Sequence, residues 1–300
     1  MKKKLLAIAL TSAMAMSMAA CGSGSDSAAS SAAAASSAAS ASSAASSSSA
    51  ASSSSAASSS AEASEDSDLA YVTGKGTLVV GITDFEPMDY KDENGSWIGF
   101  DADMATAFAE SLGVEVEFME IDWDNKILEL DGKQIDCVWN GMTLTPEVTS
   151  SMECSNAYCN NAQVVIVNKD VADKYQDVES LSGLTFAVES GSAGAEQAEA
   201  NGLNYTEVQN QAAALMEVSA GTSDAAIIDS LMAAAMVGEG TSYENLTYTI
   251  GLNSEEYGVG FRKGSDLAAK LNEFFAASYA DGSMEQIAET YGVQAALVEQ

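Results

Sequence analysis

The chain of 300 residues has no histidine, two prolines, four cysteines and only 12 basic residues against 44 acidic ones. Without histidine there is no Ser-His-Asp or Cys-His pair, no imidazole metal site and no imidazole general base. No Gly-x-x-x-x-Gly-Lys-Ser/Thr loop occurs, which removes nucleotide hydrolysis by that route. The formal net charge of −32 excludes nucleic acid and anionic lipid as natural partners. It reads first as a solvated acidic surface, and second as a field that attracts cationic ligands. No cysteine spacing fits a zinc site, and no cofactor motif is visible, so neither metal nor cofactor is expected.

What is present divides into unlike parts. Lys2, Lys3 and Lys4 precede an apolar run from Leu5 to Ala20, the pattern of a secretory signal over residues 1–20. The run falls short of the ~20 apolar residues that a membrane span needs. It ends in Met18-Ala-Ala-Cys21-Gly22, which resembles the lipobox of bacterial lipoproteins, with Met18 where leucine is usual. That resemblance implies that Cys21 is lipidated, becomes the first mature residue and holds the chain on the extracellular face of the cytoplasmic membrane. Residues 21–67 are nearly all serine and alanine, too poor in large apolar side chains to offset the entropy of ordering, and read as a tether. The remainder, about 230 residues, holds every tryptophan and is long enough for more than one lobe.

In that remainder strands and helices alternate. Thr77–Ile82 reads as a buried strand. Asp101 is placed as the cap of a helix whose inner face is Met104, Ala105, Phe108 and Leu112, stopped by Gly113. Val114, Val116 and Phe118 alternate with Glu115 and Glu117 as a strand with one solvated side. A helix containing Ile127, Leu128 and Leu130 leads to a strand Ile135–Trp139, expected to end before Asn140-Gly141. The pattern restarts with strands at Gln163–Val167, Leu184–Val188 and Asp224–Ile228, each followed by further structure, and a late strand Tyr257–Phe261 precedes two closing helices. This is an α/β chain with largely parallel sheets in two successive series. Ligands of such sheets bind beyond the strands' carboxyl ends, so the residues after each strand are the candidates. Cys137 lies in an apolar run and reads as a small core residue. Cys154 and Cys159, five apart in an exported segment, are candidates for a disulfide whose geometry the sequence does not decide.

The stretches Gly76–Gly81, Pro87–Tyr90, Ile98–Asp103, Asp136–Thr145, Val188–Ser192, Asp224–Asp229 and Tyr257–Phe261 resemble, in order, the family 3 solute-binding proteins of polar amino-acid ABC transporters. The resemblance implies a bilobal type II periplasmic-binding-protein fold. Lobe 1 would span 70–159 plus 256–300 and lobe 2 160–255, joined by crossing strands near Tyr158–Val164 and Ser254–Gly258. It implies a small polar solute, an amino acid or amine, caught between the lobes by a monomer and delivered to a transporter permease. Phe85, beside Asp84, and Trp123 match the aromatic walls; plain core packing is the competing account of each ring. Asn140, Gly141 and Thr143 offer close backbone approach and a hydroxyl. Ser190, Gly191 and Ser192 precede a helix whose N–H groups can receive a carboxylate. Asp229 matches the carboxylate that takes an α-ammonium, or caps the following helix, or both.

Two positions depart from the pattern. Val148 stands where the family's arginine forks onto the ligand carboxylate, and Glu189 stands where some glutamine-type relatives carry lysine. Both are candidate specificity positions. Lys126 and Lys133, the nearest bases in sequence, read as an ordinary helix residue and a turn residue. Either the carboxylate is held by the helix start near Ser192 and by Thr143, or the ligand is an amine without an α-carboxylate. The same fold also resembles some dehydratases, though no nucleophile–base pair is apparent, and a sensor or adhesive lipoprotein could use it without transport.

Overall fold

The computed structural model describes residues 67–300; the signal segment, Cys21 and all of the tether but Ser67 lie outside the described residues. The chain starts with α1 (Asp68–Lys75), β1 (Thr77–Ile82), the short hairpin β2 (Tyr90–Lys91) and β3 (Trp97–Ile98), α2 (Phe100–Leu112) and β4 (Glu115–Glu120). A single 3-10 turn, Trp123–Asn125, runs into α3 (Lys126–Asp131). Next come β5 (Cys137–Thr143), α4 (Pro146–Ser151), β6 (Glu153–Cys154) and β7 (Cys159–Asn161). Then follow β8 (Gln163–Asn168), β9 (Thr185–Glu189), α5 (Ala193–Ala200), β10 (Asn204–Val208), α6 (Gln211–Ala220), β11 (Ala225–Asp229), α7 (Ser230–Met236) and β12 (Leu246–Gly251). The chain closes with β13 (Glu255–Phe261), α8 (Leu267–Asp281) and α9 (Ser283–Tyr291).

These strands form two principal sheets, the bilobal type II arrangement. One has the order β4-β1-β5-β13-β6, with β7 also on β13; the other has the order β10-β9-β11-β8-β12. The central strands are apolar and buried along their lengths, as in β1 and β11. The edge strand β4 carries three glutamates and the edge strand β10 is exposed and largely polar, which solvates otherwise open edges. The chain changes sheet at Ala162 and again between Gly251 and Glu255, so β7 and β13, paired from Asn161↔Glu255 to Cys159↔Tyr257, form the crossing.

The order of the strands fixes where a ligand can sit. From β1 the chain turns through α2 to β4 on one side, then through α3 to β5 on the other. In the second sheet it turns from β9 through α5 to β10, then through α6 to β11 on the opposite flank. Each reversal opens a crevice at the carboxyl ends of the parallel strands, the switch point at which α/β folds place ligands.

Three local expectations are corrected. Asp101 does not cap α2, whose N-cap residue is Gly99; its side chain is fully buried, and Oδ2 accepts from the Gly141 N–H at 2.6 Å and the Tyr158 hydroxyl at 2.7 Å. The strand expected to stop at Trp139 runs on to Thr143, because β13 pairs along it as far as Tyr257↔Thr143, with a register shift opposite Asn140 and Gly141. Cys154 and Cys159 are free thiols. They lie opposite Gly260 and Tyr257 on the same edge of β13. Three residues of strand separate them by about 10 Å, beyond the ~7 Å Cα reach of a disulfide. Cys137 is buried in the core as expected.

Candidate functional site

The crevices of the two sheets face each other across a cavity of ≈ 30 Å³. That volume admits about two waters, so a solute of amino-acid size enters only when the walls part. From the first sheet come Phe85, Trp123, Lys126, Gly141, Thr143 and Val148; from the second come Glu189, Gly191, Ser192, Gln211 and Asp229. Of the residues expected at the site, Phe85, Trp123, Asn140, Gly141, Thr143, Val148, Glu189, Gly191, Ser192 and Asp229 line this cavity.

Asp84 and Ser190 do not line it. Asp84 points to solvent between inward Thr83 and Phe85, and the Ser190 N–H is spent on the Val208 carbonyl at 3.0 Å. Asn140 lines the cavity, but its amide is already occupied: Oδ1 accepts from the Thr83 hydroxyl at 2.7 Å and Nδ2 donates to Asp89 at 2.8 Å. Asn140 therefore holds the loop after β1 in place. The Thr143 hydroxyl donates to Glu255 at 2.9 Å.

The aromatic walls are packed into the core. Phe85 is 2% exposed and meets Tyr257 edge-on at 6.3 Å, and Trp123 packs with Val148, Met142 and Met152. Val148 thus fills core beside the indole. Two glycines permit the close approach. Gly141 has φ +54°, and a Cβ there would lie 2.4 Å from the Phe85 ring. Gly191 has φ +66°, and a Cβ there would lie 2.7 Å from the Asp124 carboxylate across the cleft.

The electrostatics are lopsided. Glu147, Glu189, Glu196 and Asp229 all line the cavity against one cation, Lys126. Asp229 is buried, and its carboxylate accepts from Tyr257 at 2.7 Å, Gln163 at 3.0 Å, and the Asn161 and Gln211 amides. Burial, then Glu255, raises its pKa to about 7 despite those donors. Its side chain does not cap α7, although it occupies the N-cap position. Burial, then Asp229, raises Glu189 to about 8. The Ser192 hydroxyl caps α5 by accepting from Ala195 N at 3.2 Å, leaving the first N–H groups of that helix at the cavity wall.

Lys126 overturns the reading of this residue as an ordinary helix position. It is 7% exposed, and Nζ donates to the Gly191 carbonyl of the opposite sheet at 2.8 Å and to the Trp123 carbonyl at 3.3 Å. Burial lowers its pKa, opposed by Glu147, Glu189 and Asp124. Sequence reasoning also missed Gln211, which braces Asp229 by donating from Nε2 and accepting Asp229 N–H at 2.8 Å. A lysine at the start of a helix and a glutamine at the start of another carry no local signal; only the packing of one sheet on the other draws them in. Among the described residues no group of three or more Cys, Asp or Glu is arranged to hold a metal ion, and no helix is long and apolar enough to cross a membrane.

Comparison with known proteins finds amino-acid-binding relatives. The arginine-binding extracellular protein ArtP of Bacillus subtilis (strain 168) is 30% identical over 222 residues, covering 72% of this chain and 86% of that protein. A crystal structure of an ABC uptake transporter substrate-binding protein from Streptococcus pneumoniae with bound histidine has TM-score 0.70 and 30% identity, covering 78% of this chain and 99% of that one. The ancestral amino acid-binding protein AncCDT-1, a precursor of cyclohexadienyl dehydratase, has TM-score 0.69 and 33% identity, covering 75% and 99%. Residues 78–294 match a family as a whole, and on that match the chain belongs to the bacterial extracellular solute-binding proteins, family 3.

Proposed function

We propose that the chain is the extracellular substrate-binding component of an ABC importer and captures an α-amino acid. The relatives named above include an arginine-binding and a histidine-bound protein, which supports an amino-acid solute. The observation that carries the reading is a single cavity that brings together a buried cation, bonded to Gly191 beside a capped helix start, and a buried, braced carboxylate. Lys126 and the N–H groups of α5 past Ser192 take the α-carboxylate; Asp229 takes the α-ammonium, with Gln211 and Tyr257 fixing its orientation. Lys126 thus stands in for the arginine that Val148 replaces. The ring faces of Phe85 and Trp123 enclose the side chain.

Lobes 70–159 plus 256–300 and 160–255 swing about the crossing β7 and β13. The solute draws them shut because only the closed state lets it touch both sheets. Lipid on Cys21 and the tether keep the chain near its permease at the extracellular face of the membrane. Calorimetric titration with the common amino acids, run alongside product analysis, tests the reading: binding without turnover is expected, and the absence of binding by every amino acid refutes it. Incorporation of labelled palmitate that is lost in Cys21→Ser tests the anchor.

A further inference from the structure

Glu189 ends β9 in the wall of the cavity, 3% exposed, and its Oε1 has no hydrogen-bond partner in the protein. A buried carboxylate oxygen left without a donor is costly, and native structures rarely keep one without a use. Asp229 nearby is better supplied, with three side-chain donors on Oδ1 and Gln211 on Oδ2, which keeps a lone pair for the α-ammonium. Lys126, the one basic side chain lining the cavity, already gives two hydrogen bonds to backbone carbonyls, and Glu147 and Glu196 add to the negative wall. A zwitterionic amino acid brings no net charge and leaves this surplus untouched. A solute with a second cationic group would supply the missing donors and offset the surplus.

We propose that Glu189 is the specificity-determining residue of this cleft and that it selects a solute bearing an ammonium or guanidinium group beyond its α-amine. The inference rests on the amino-acid reading above and narrows it to a substrate class. Burial and the neighbouring Asp229 keep Glu189 protonated near neutral pH in the empty cleft, opposed by Lys126, Gln211 and Thr83. Docking of a cation on Glu189 therefore releases a proton.

The test compares L-arginine with L-citrulline, which replaces the guanidinium by a neutral ureido group of nearly equal size, by calorimetry in two buffers of different ionisation enthalpy. Arginine is expected to bind at least about tenfold more tightly and with proton release, since a charge-assisted bond replaces a neutral one. In Glu189→Gln the arginine affinity should fall about tenfold or more while citrulline changes less than about threefold. The comparison on the unmodified chain needs no variant, so it stands even where Glu189→Gln fails to fold. Citrulline binding as tightly as arginine overturns this inference and leaves the amino-acid reading standing. An unchanged arginine-to-citrulline ratio in folded Glu189→Gln overturns the role of Glu189. Binding of neither, nor of any other amino acid, overturns the function proposed above and this inference with it.

Discussion

Replacing Lys126 by methionine isolates the account of carboxylate capture. Methionine keeps the length and apolar stem of the side chain and removes the ammonium, so the packing beside Trp123 is retained. Three interactions disappear: the bonds from Nζ to the Gly191 carbonyl across the cleft and to the nearby Trp123 carbonyl, and the charge offered to a ligand carboxylate. A hydrogen bond to a charged group contributes about 1.5–3 kcal/mol, and each 1.4 kcal/mol is tenfold in affinity. Loss of the carboxylate contact alone therefore weakens amino-acid binding about 10- to 150-fold. The empty protein should not be destabilised by a like amount, because burial already disfavours the Lys126 charge. Calorimetry with L-arginine and with agmatine, which is arginine without its carboxylate, separates the last from the other two. Arginine affinity should drop by the full factor, and agmatine affinity by only the part due to the Gly191 contact. Equal losses for both ligands would mean that Lys126 acts as a latch between the sheets and touches no carboxylate. No loss for either would refute the reasoning altogether.

Further outcomes follow from the same geometry. Val148→Arg, introduced into Lys126→Met, is expected to restore arginine binding to within about tenfold of the parent; failure to regain any affinity would show that position 148 no longer faces the carboxylate. Gly191→Ala forces a side chain into φ +66° and against Asp124, so closure should weaken and arginine affinity fall at least about tenfold, while the backbone strain of about 1–2 kcal/mol lowers the melting temperature of the unliganded protein. Asp101 and Asp89 are both fully buried, and burial raises Asp101 to about 7 and Asp89 well above its ordinary value, the latter helped by Asp101. A carboxyl group whose folded pKa is raised binds its proton more tightly in the folded state. Its contribution to stability is therefore complete below about pH 4 and lost as pH climbs towards 7. Asp101→Asn preserves an acceptor for Gly141 and Tyr158, so it should raise the melting temperature at pH 8 by about 2–4 °C or more and confer no gain at pH 4. A gain equal at both pH values would contradict the buried-pair account.

Much of the architecture was legible because it is written in short-range pattern. The apolar run Thr77–Ile82, the alternation of Val116 and Phe118 with glutamates, and the glycine at position 113 each report a local physical need that the fold meets. Positions just past strands were legible as site candidates for a topological reason, and Gly191, Ser192 and Asp229 do converge. What escaped the sequence depends on contacts between distant segments. Lys126 bonds the carbonyl of Gly191, 65 residues on, a contact that no local pattern announces. Asp101 looked like a cap because acids often start helices, yet strand β5 and Tyr158 draw it inward. Asp84 and Ser190 were named for their neighbourhood, and the turn of the backbone sends them away while Phe85 and Glu189 point in. The spacing of Cys154 and Cys159 suggested a bridge that strand register forbids.

The central claim is that one small solute is gripped by both sheets at once. Backbone hydrogen exchange followed by mass spectrometry, with and without saturating L-arginine, measures this most directly. The account predicts slowed exchange in both walls together, at Thr83–Phe85 and Trp123–Lys126 from one sheet and at Gly191–Ala195 and Asp229–Leu231 from the other. Protection confined to one sheet, or exchange unchanged at all four segments while arginine is bound, would contradict it.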